Sequence, residues 1–376
     1  MFFIEIINMV EVNILKRLFK KTIAFIIIIL TFYSCKKEEL YNDNLQKINS
    51  EFIAAVDISS YPEIALTNQT FYSLEGNKQN FLSILKENGV NTIRLRVWVD
   101  SVDNHSGFNE VKLFAETLRN MEFKIWLTLH YSDTWADPSS QQIPHQWQEL
   151  DFETLKDSVY SYTDRVVNEL KPNYIQIGNE INSGILHPHG NISNNYNQFV
   201  ELLREGCNAV RSNSRDCKIM LHFAGFEHAD FFFNQLKTID YDIIGLSFYP
   251  IWHGKSLHKL KTSMQSLSES INKQIIIAET AYPFTLDWND WTNNIVGLNE
   301  QLILPEYPAT IEGQRKYIRD LKVITQELEK GIGFCYWGAE LIAWKGNQAT
   351  DASAWENPIP FSSSCVITFK SLIYLR

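Results

Sequence analysis

Two glutamates are the residues of this chain best placed by type and context to do chemistry. Glu180 closes the stretch Tyr174-Ile-Gln-Ile-Gly-Asn-Glu180, and Glu279 closes Gln274-Ile-Ile-Ile-Ala-Glu279. Each ends a short apolar run of the kind that forms a buried strand. A pair of carboxylates can divide the work of breaking an acetal bond. One must hold a proton near neutral pH and pass it to the departing oxygen, so burial or a neighbouring negative charge must raise its pKa. The other must stay ionised to attack the anomeric carbon, which calls for a nearby cation or hydroxyl donor. Taken alone, either glutamate is equally well a surface carboxylate just past a strand. The pairing has to come from the elements that position them.

Eight short apolar runs recur along the chain: Phe52–Ile58, Asn91–Val97, Lys124–Leu129, Tyr174–Ile177, Lys218–Phe223, Asp242–Leu246, Gln274–Ala278 and Gly333–Tyr336. Amphipathic helical segments lie between most of them, such as Val159-Tyr162-Val166-Val167-Leu170 before Pro172 and Phe199-Leu202-Leu203-Gly206-Val210. Alternating helices and nearly continuous apolar strands predict a parallel sheet, and eight units predict its closure into a single (β/α)8 TIM barrel. An open doubly wound sheet is the alternative, but no glycine-rich phosphate turn follows the first strand. The segments 130–147, 181–195 and 280–308 are long and rich in polar and aromatic residues. They predict long loops on the C-terminal face of the strands, where such a barrel carries its site.

The strand ends supply the remaining inventory. The first ends in Asp57. The second carries Arg94 and Arg96 on one side, followed by Trp98. The third is followed by His130, Tyr131, Asp133 and Trp135, and the fourth by Asn179 and Glu180. The fifth carries His222, and Tyr249 and Trp252 follow the sixth. Glu279 ends the seventh, and Trp337 the eighth. No Ser or Cys sits in a nucleophile elbow, and no HExxH zinc motif is present. Arg96 and Tyr249 are the residues expected to hold Glu279 ionised, with Arg94 the other arginine on that side. Asn179 is placed to reach a sugar 2-hydroxyl. His130 and His222 suit either a structural hydrogen bond or a sugar contact, and Trp98 and Trp126 suit the core.

Composition narrows the partners. The chain has 376 residues and a formal net charge of −10, which argues against nucleic acid and favours a neutral over an acidic polymer. Aromatic residues make up 13%, including 10 Trp, enough to provide stacking platforms as well as core. Lys16, Arg17, Lys20 and Lys21 precede an apolar run from Ile23 to Tyr33 that ends at Ser34-Cys35. This reads as a lipoprotein-type signal over residues 1–35 with Cys35 as the lipidated residue, followed by a polar tether over 36–51 and the barrel over 52–376. The expectation is therefore a bacterial envelope protein, exported, held to the membrane by its N-terminal lipid, and monomeric. Cys207 and Cys217 could pair after export, or remain buried free thiols.

Five blocks carry a specific resemblance: Val90-Asn-Thr-Ile-Arg-Leu-Arg-Val-Trp-Val99, His130-Tyr-Ser-Asp-Thr-Trp-Ala-Asp-Pro138, Gln176-Ile-Gly-Asn-Glu-Ile-Asn182, Gly245-Leu-Ser-Phe-Tyr-Pro-Ile-Trp-His-Gly254 and Glu279-Thr-Ala-Tyr-Pro283. With these the chain resembles glycoside hydrolase family 53, the arabinogalactan endo-β-1,4-galactanases, over roughly residues 55–355. The resemblance implies a retaining double displacement on β-1,4-galactan, the neutral side chain of pectin, with Glu180 as acid/base and Glu279 as nucleophile. The two carboxyl groups are then expected about 5–5.5 Å apart. It also implies substrate contacts at Asp57, His130, Asp133, Asn179, Tyr249, Trp252 and Trp337. No cofactor is implied for catalysis. Some relatives carry a structural calcium ion in the loop after the seventh strand, which here would fall on Asp287, Asn289 and Asn293. From about residue 358 the chain departs from the family pattern. Another retaining endo-glycosidase on the same barrel, a mannanase or β-glucanase, and a non-catalytic surface glycan-binding lipoprotein are the competing readings.

Overall fold

The β-branched runs form strands because their side chains are buried on both faces, against the barrel interior and against the surrounding helices. The computed structural model describes residues 52–358, apart from 68, 74, 75 and 102–104. The strands are β1 Ile53–Asp57, β2 Thr92–Val97, β3 Lys124–Leu129, β4 Tyr174–Ile177, β5 Lys218–Ala224, β6 Ile243–Ser247, β7 Gln274–Thr280 and β8 Gly331–Trp337. They are parallel and close into a barrel, with β8 pairing with β1 and β1 with β2. The main intervening helices are α1 Phe81–Glu87, α2 Phe108–Asn120, α3 Phe152–Leu170, α4 Ile192–Asn213, α5 Ala229–Gln235, α6 Leu257–Ile271 and α7 Ile311–Glu327. The proposed signal, Cys35 and the tether, and the divergent end beyond 358, lie outside the described residues. Among those described, no helix is long and apolar enough to cross a membrane.

Side chains capture the first free amides of several helices. Asn80 accepts from the amides of Leu82 and Ser83 at the start of α1, and Asp151 from that of Thr154 at the start of α3. The barrel interior is layered. An apolar layer of Ile53, Ala55, Trp126, Met220, Ile243, Ile276, Ala278 and Cys335 fills its lower part. Gly245 belongs to this packing, since a Cβ there would lie 2.8 Å from Met220 Sδ. Above that layer the interior turns polar, with Asp57, Arg94, Gln176, His222 and Glu279 all buried. Cys207, Cys217 and Cys335 are buried free thiols, so the Cys207–Cys217 pairing is not formed.

Two local irregularities aim the glutamates. The β6–β7 register runs from Ile243↔Gln274 to Leu246↔Ile277 and then jumps to Ser247↔Glu279. The extra residue is a β-bulge. Strict alternation from Ile276 would send Ala278 inward and Glu279 toward the helices, and the bulge turns Glu279 back to the cleft. On the other side, the chain leaves β4 through Gly178 at φ +79° and Glu180 itself at φ +46°. A Cβ at Gly178 would come within 2.5 Å of Ile181 Cγ2, so only glycine fits that turn. The left-handed conformation at a glutamate costs about 1–2 kcal/mol and is held by the contacts described next.

Candidate active site

Arg94 is the hub of the site. Its guanidinium lies 5.5 Å from the ring centroid of Trp126 and is almost fully buried. Nη1 donates to Asp57 Oδ2 at 2.7 Å. Nη2 donates to Glu279 Oε1 at 2.7 Å and to Asn179 Oδ1 at 2.9 Å. Two buried carboxylates thus share one cation, whose own pKa is driven further up by Glu279 and Asp57 despite its burial. The second oxygen of Glu279, Oε2, accepts from the Tyr249 hydroxyl at 3.0 Å. Burial raises the pKa of Glu279, while the Arg94 charge and the Tyr249 and Arg94 hydrogen bonds pull it back.

Glu180 has no such cation in contact. Its Oε1 accepts from Ser247 Oγ at 2.5 Å. Burial, and then the charge of Glu279, push its carboxyl up to about 8. Of the pair, Glu279 therefore loses its proton first and Glu180 retains one at neutral pH. Ser247 is oriented by His222, whose Nε2 lies 2.9 Å from Ser247 Oγ. Because Ser247 donates to Glu180, it must accept from His222, which assigns the proton of His222 to Nε2. Nδ1 is then bare: it accepts from Gln176 Nε2 at 3.0 Å and from the Glu180 amide at 3.3 Å, and lies 3.1 Å from Asn179 Oδ1 without a hydrogen bond between them. Burial, with the Arg94 charge, keeps His222 well below the usual histidine pKa and hence neutral. The chain His222→Ser247→Glu180 Oε1 leaves Oε2 to carry the acidic proton. His222 is fully buried, does not line the cleft, and contacts Glu180 through Ser247.

The neighbours of the pair are equally constrained. Asn179 accepts through Oδ1 from Arg94 and Gln176 and donates Nδ2 to Ala136 O at 2.8 Å, leaving one amide proton unused. His130 Nδ1 accepts from the Ala136 amide at 3.1 Å, so its Nε2 carries the proton. Burial and the two arginines hold His130 neutral, well below its usual pKa. Asp57 accepts from the amide and hydroxyl of Ser59 as well as from Arg94.

These groups open onto a cleft of about 770 Å³ whose lining includes Asp57, Arg94, Arg96, His130, Asn179, Glu180, Tyr249, Trp252, Glu279 and Trp337. Its aromatic wall is continuous. Trp135 and Trp337 have ring centroids 6.1 Å apart, Trp337 and Trp355 5.4 Å, and Trp355 and Trp252 5.6 Å. Trp252 and Trp135 are among the most exposed large apolar residues, as stacking platforms must be.

Two expectations are corrected. Arg94, not Arg96, contacts Glu279: Arg96 is held between Trp98 and Trp135, 4.8 and 4.2 Å from their ring centroids, and donates to Ser60 Oγ at 3.3 Å. Asp133 does not line the cleft. Its two oxygens accept from the amides of Asp100 and His145 and tie the loop after β2 to that after β3. Asp287, Asn289 and Asn293 share the loop after β7, where Asp287 and Asn293 are exposed and Asn289 is half-buried. Glu356 Oε1 ties this loop down by accepting from the amides of Asn289 at 2.7 Å and Asp290 at 3.3 Å. Sequence reasoning did not single out Ser247, Gln176, Glu340 or Trp355. Ser247 and Gln176 stood inside blocks already noted, and strand parity with their inward neighbours was the available signal.

A parallel eight-stranded barrel with two unequal carboxylates at the C-terminal ends of β4 and β7, set in an aromatic cleft, defines the glycoside hydrolase class. The comparisons with known proteins give the family. The model of glycosyl hydrolase family 53 matches residues 53–372, and the chain belongs to that family. An arabinogalactan endo-β-1,4-galactanase of Cellvibrio japonicus is 32% identical over 337 residues, covering 84% of this chain and 88% of that protein. A family 53 catalytic domain from Ignisphaera aggregans superposes with a TM-score of 0.80 at 34% identity, over 86% of this chain and 96% of that one. A fungal β-1,4-galactanase structure gives a TM-score of 0.74 at 26% identity, over 86% of this chain and all of that one.

Proposed function

We propose that this protein is an arabinogalactan endo-β-1,4-galactanase that hydrolyses internal β-1,4-galactosidic bonds with retention of configuration. The observation that carries the reading is the inequality of the two glutamates. Glu279 accepts from a guanidinium and a phenol, whereas Glu180 accepts from a single hydroxyl. Glu279 attacks the anomeric carbon while the proton on Glu180 Oε2 passes to the leaving sugar's oxygen. A galactosyl ester forms on Glu279 and the aglycone leaves. Glu180, now a carboxylate, removes a proton from a water that attacks the same carbon, which releases Glu279 and restores the acid. As charge develops on the ring, the free Asn179 amide proton and His130 Nε2–H are the donors available to the sugar hydroxyls. Asp57 and Arg94 hold the nucleophile in place, and the tryptophan wall stacks on the apolar faces of successive galactosyl rings.

Export and lipid anchoring through Cys35, and a monomeric state, are part of the same proposal and rest on sequence. Cys35→Ser is expected to move the protein from the membrane to the soluble fraction. The activity is tested by reducing-end release from galactan, mannan, xylan and β-glucan, with chromatography of the products. Release from galactan as a ladder of oligosaccharides is expected. Release from mannan or β-glucan alone would assign a different endo-glycosidase, and binding without release a glycan-binding lipoprotein.

A further inference from the structure

The reaction centre accounts for Glu180, Glu279, Arg94 and Asp57. It does not account for a fourth carboxyl in the same cleft. Glu340 follows β8, is 1% exposed and lines the cleft. Its Oε1 accepts from the Ser60 amide at 2.8 Å, and its Oε2 has no partner. Arg96 reaches Ser60 from the other side through Nη2, and its Nε is also buried and unpartnered. A buried polar group left without a partner is destabilising, and here two such groups belong to residues that both contact one serine at the cleft wall. A hydroxyl group, which both donates and accepts, can satisfy Nε of Arg96 and the carboxyl of Glu340 together.

Position identifies whose hydroxyl. The acid Glu180 must stand beside the oxygen of the departing sugar, so the aglycone lies on the β4–β6 side. Ser60, Arg96 and Glu340 follow β1, end β2 and follow β8, and therefore border the opposite, glycone side. There Trp135, clamped flat by Arg96, and Trp337 provide the ring platforms.

We infer that Arg96, Ser60 and Glu340 form a hydroxyl-reading subsite for the galactosyl unit that follows the reacting one on the glycone side. This rests on the endo-galactanase reading and adds a specificity-determining site to it.

The test compares Glu340→Gln, which keeps shape, the Ser60 contact and a polar terminus, with Glu340→Leu, which keeps only bulk. kcat/KM is measured for an aryl β-galactoside, an aryl β-galactobioside and a galactotetraose. For Glu340→Leu the loss is expected to grow at least about tenfold between the galactoside and the galactobioside, carried mostly by KM, with Glu340→Gln within a few-fold of the wild type. An equal loss on all substrates would show that Glu340 only braces Ser60 and would overturn the subsite, as would no loss on any. A second measurement does not depend on turnover. Galacto-, manno- and gluco-oligosaccharides are titrated into Glu180→Gln and into Glu180→Gln/Glu340→Leu. Weaker binding in the double variant of whichever oligosaccharide binds supports the subsite, and unchanged affinity overturns it. If the protein binds and cleaves a different glycan, the galactanase reading fails while this comparison still decides the subsite.

Discussion

Arg94 Nη2 lies 2.7 Å from Glu279 Oε1 although 185 positions separate the two residues in the chain. The contact joins the middle of β2 to the bulged end of β7 across the barrel. It makes one buried cation the counterion of both Glu279 and Asp57.

Removing that cation leaves two buried carboxylates uncompensated. Arg94→Met is expected to destabilise the fold by about 3–5 kcal/mol and to abolish measurable galactan hydrolysis. Arg94→Lys keeps the charge but not the fork that spans Asp57, Glu279 and Asn179, so it recovers stability better than turnover. Denaturant unfolding and galactan assays of both variants check this. If Arg94→Met proved as active as the wild type, the hub role would be lost.

Replacement of the two glutamates separates their roles. Glu180→Gln should lower kcat on galactan by about 10²–10⁴-fold, and least on aryl glycosides whose leaving group needs no proton. Glu279→Ala should be inactive on both, with azide restoring turnover of an aryl β-galactoside to give the α-galactosyl azide. A β-azide product, or no rescue by azide, would contradict nucleophilic attack by Glu279.

Ser247 donates to Glu180 and so favours its ionised form, opposing the upward push of burial and of Glu279. Activity should fall on the alkaline side as Glu180 loses its proton, with a limb near pH 8. Removing the donor raises the pKa further, so Ser247→Ala should move that limb to higher pH. A limb displaced to lower pH would reverse the assigned direction of the hydrogen bond.

Glu340 carries a stability signature of its own. Burial first, and then Asp57, push its carboxyl up to about 8. A folded-state pKa above the unfolded one favours folding fully below the unfolded value, about 4.3 for glutamate. That advantage is lost as pH rises toward 8. Glu340→Gln has no proton to lose. The variant should therefore gain stability relative to the wild type between pH 5 and 8, by an amount on the order of 1 kcal/mol per pH unit at most. Paired thermal melts across that range test the sign.

Asp133 braces two loops and does not face the cleft. Asp133→Ala is expected to cost about 1–3 kcal/mol of stability through two unpaired amides. At temperatures where the variant is folded, KM for galactotetraose should be unchanged. A specific rise in KM would return Asp133 to the substrate.

Much of this protein was legible without coordinates. The eight apolar runs specify the strands because a parallel barrel buries both faces of each, and Asp57, Glu180, Glu279 and Trp337 were placed at strand ends by counting alone. Alternation put Arg94 and Arg96 on one side of β2, but it carries no information about depth. Arg94 is one step lower, inside the polar layer, and Arg96 rises to the loops, where Trp98 and Trp135 enclose it. Asp133 looked like a site residue because its neighbours His130 and Trp135 are, yet its loop turns its carboxylate to backbone amides. The loop after β7 is held by Glu356, 67 positions beyond Asn289, a contact that no pattern within the loop reveals. The inward aim of Glu279 depends on a bulge visible only in the β6–β7 register. The sequence determined which residues stand at the mouth of the barrel, because that follows from local period. The tertiary structure decided which of them touch and which glutamate keeps its proton, because those depend on contacts between strands distant in the chain.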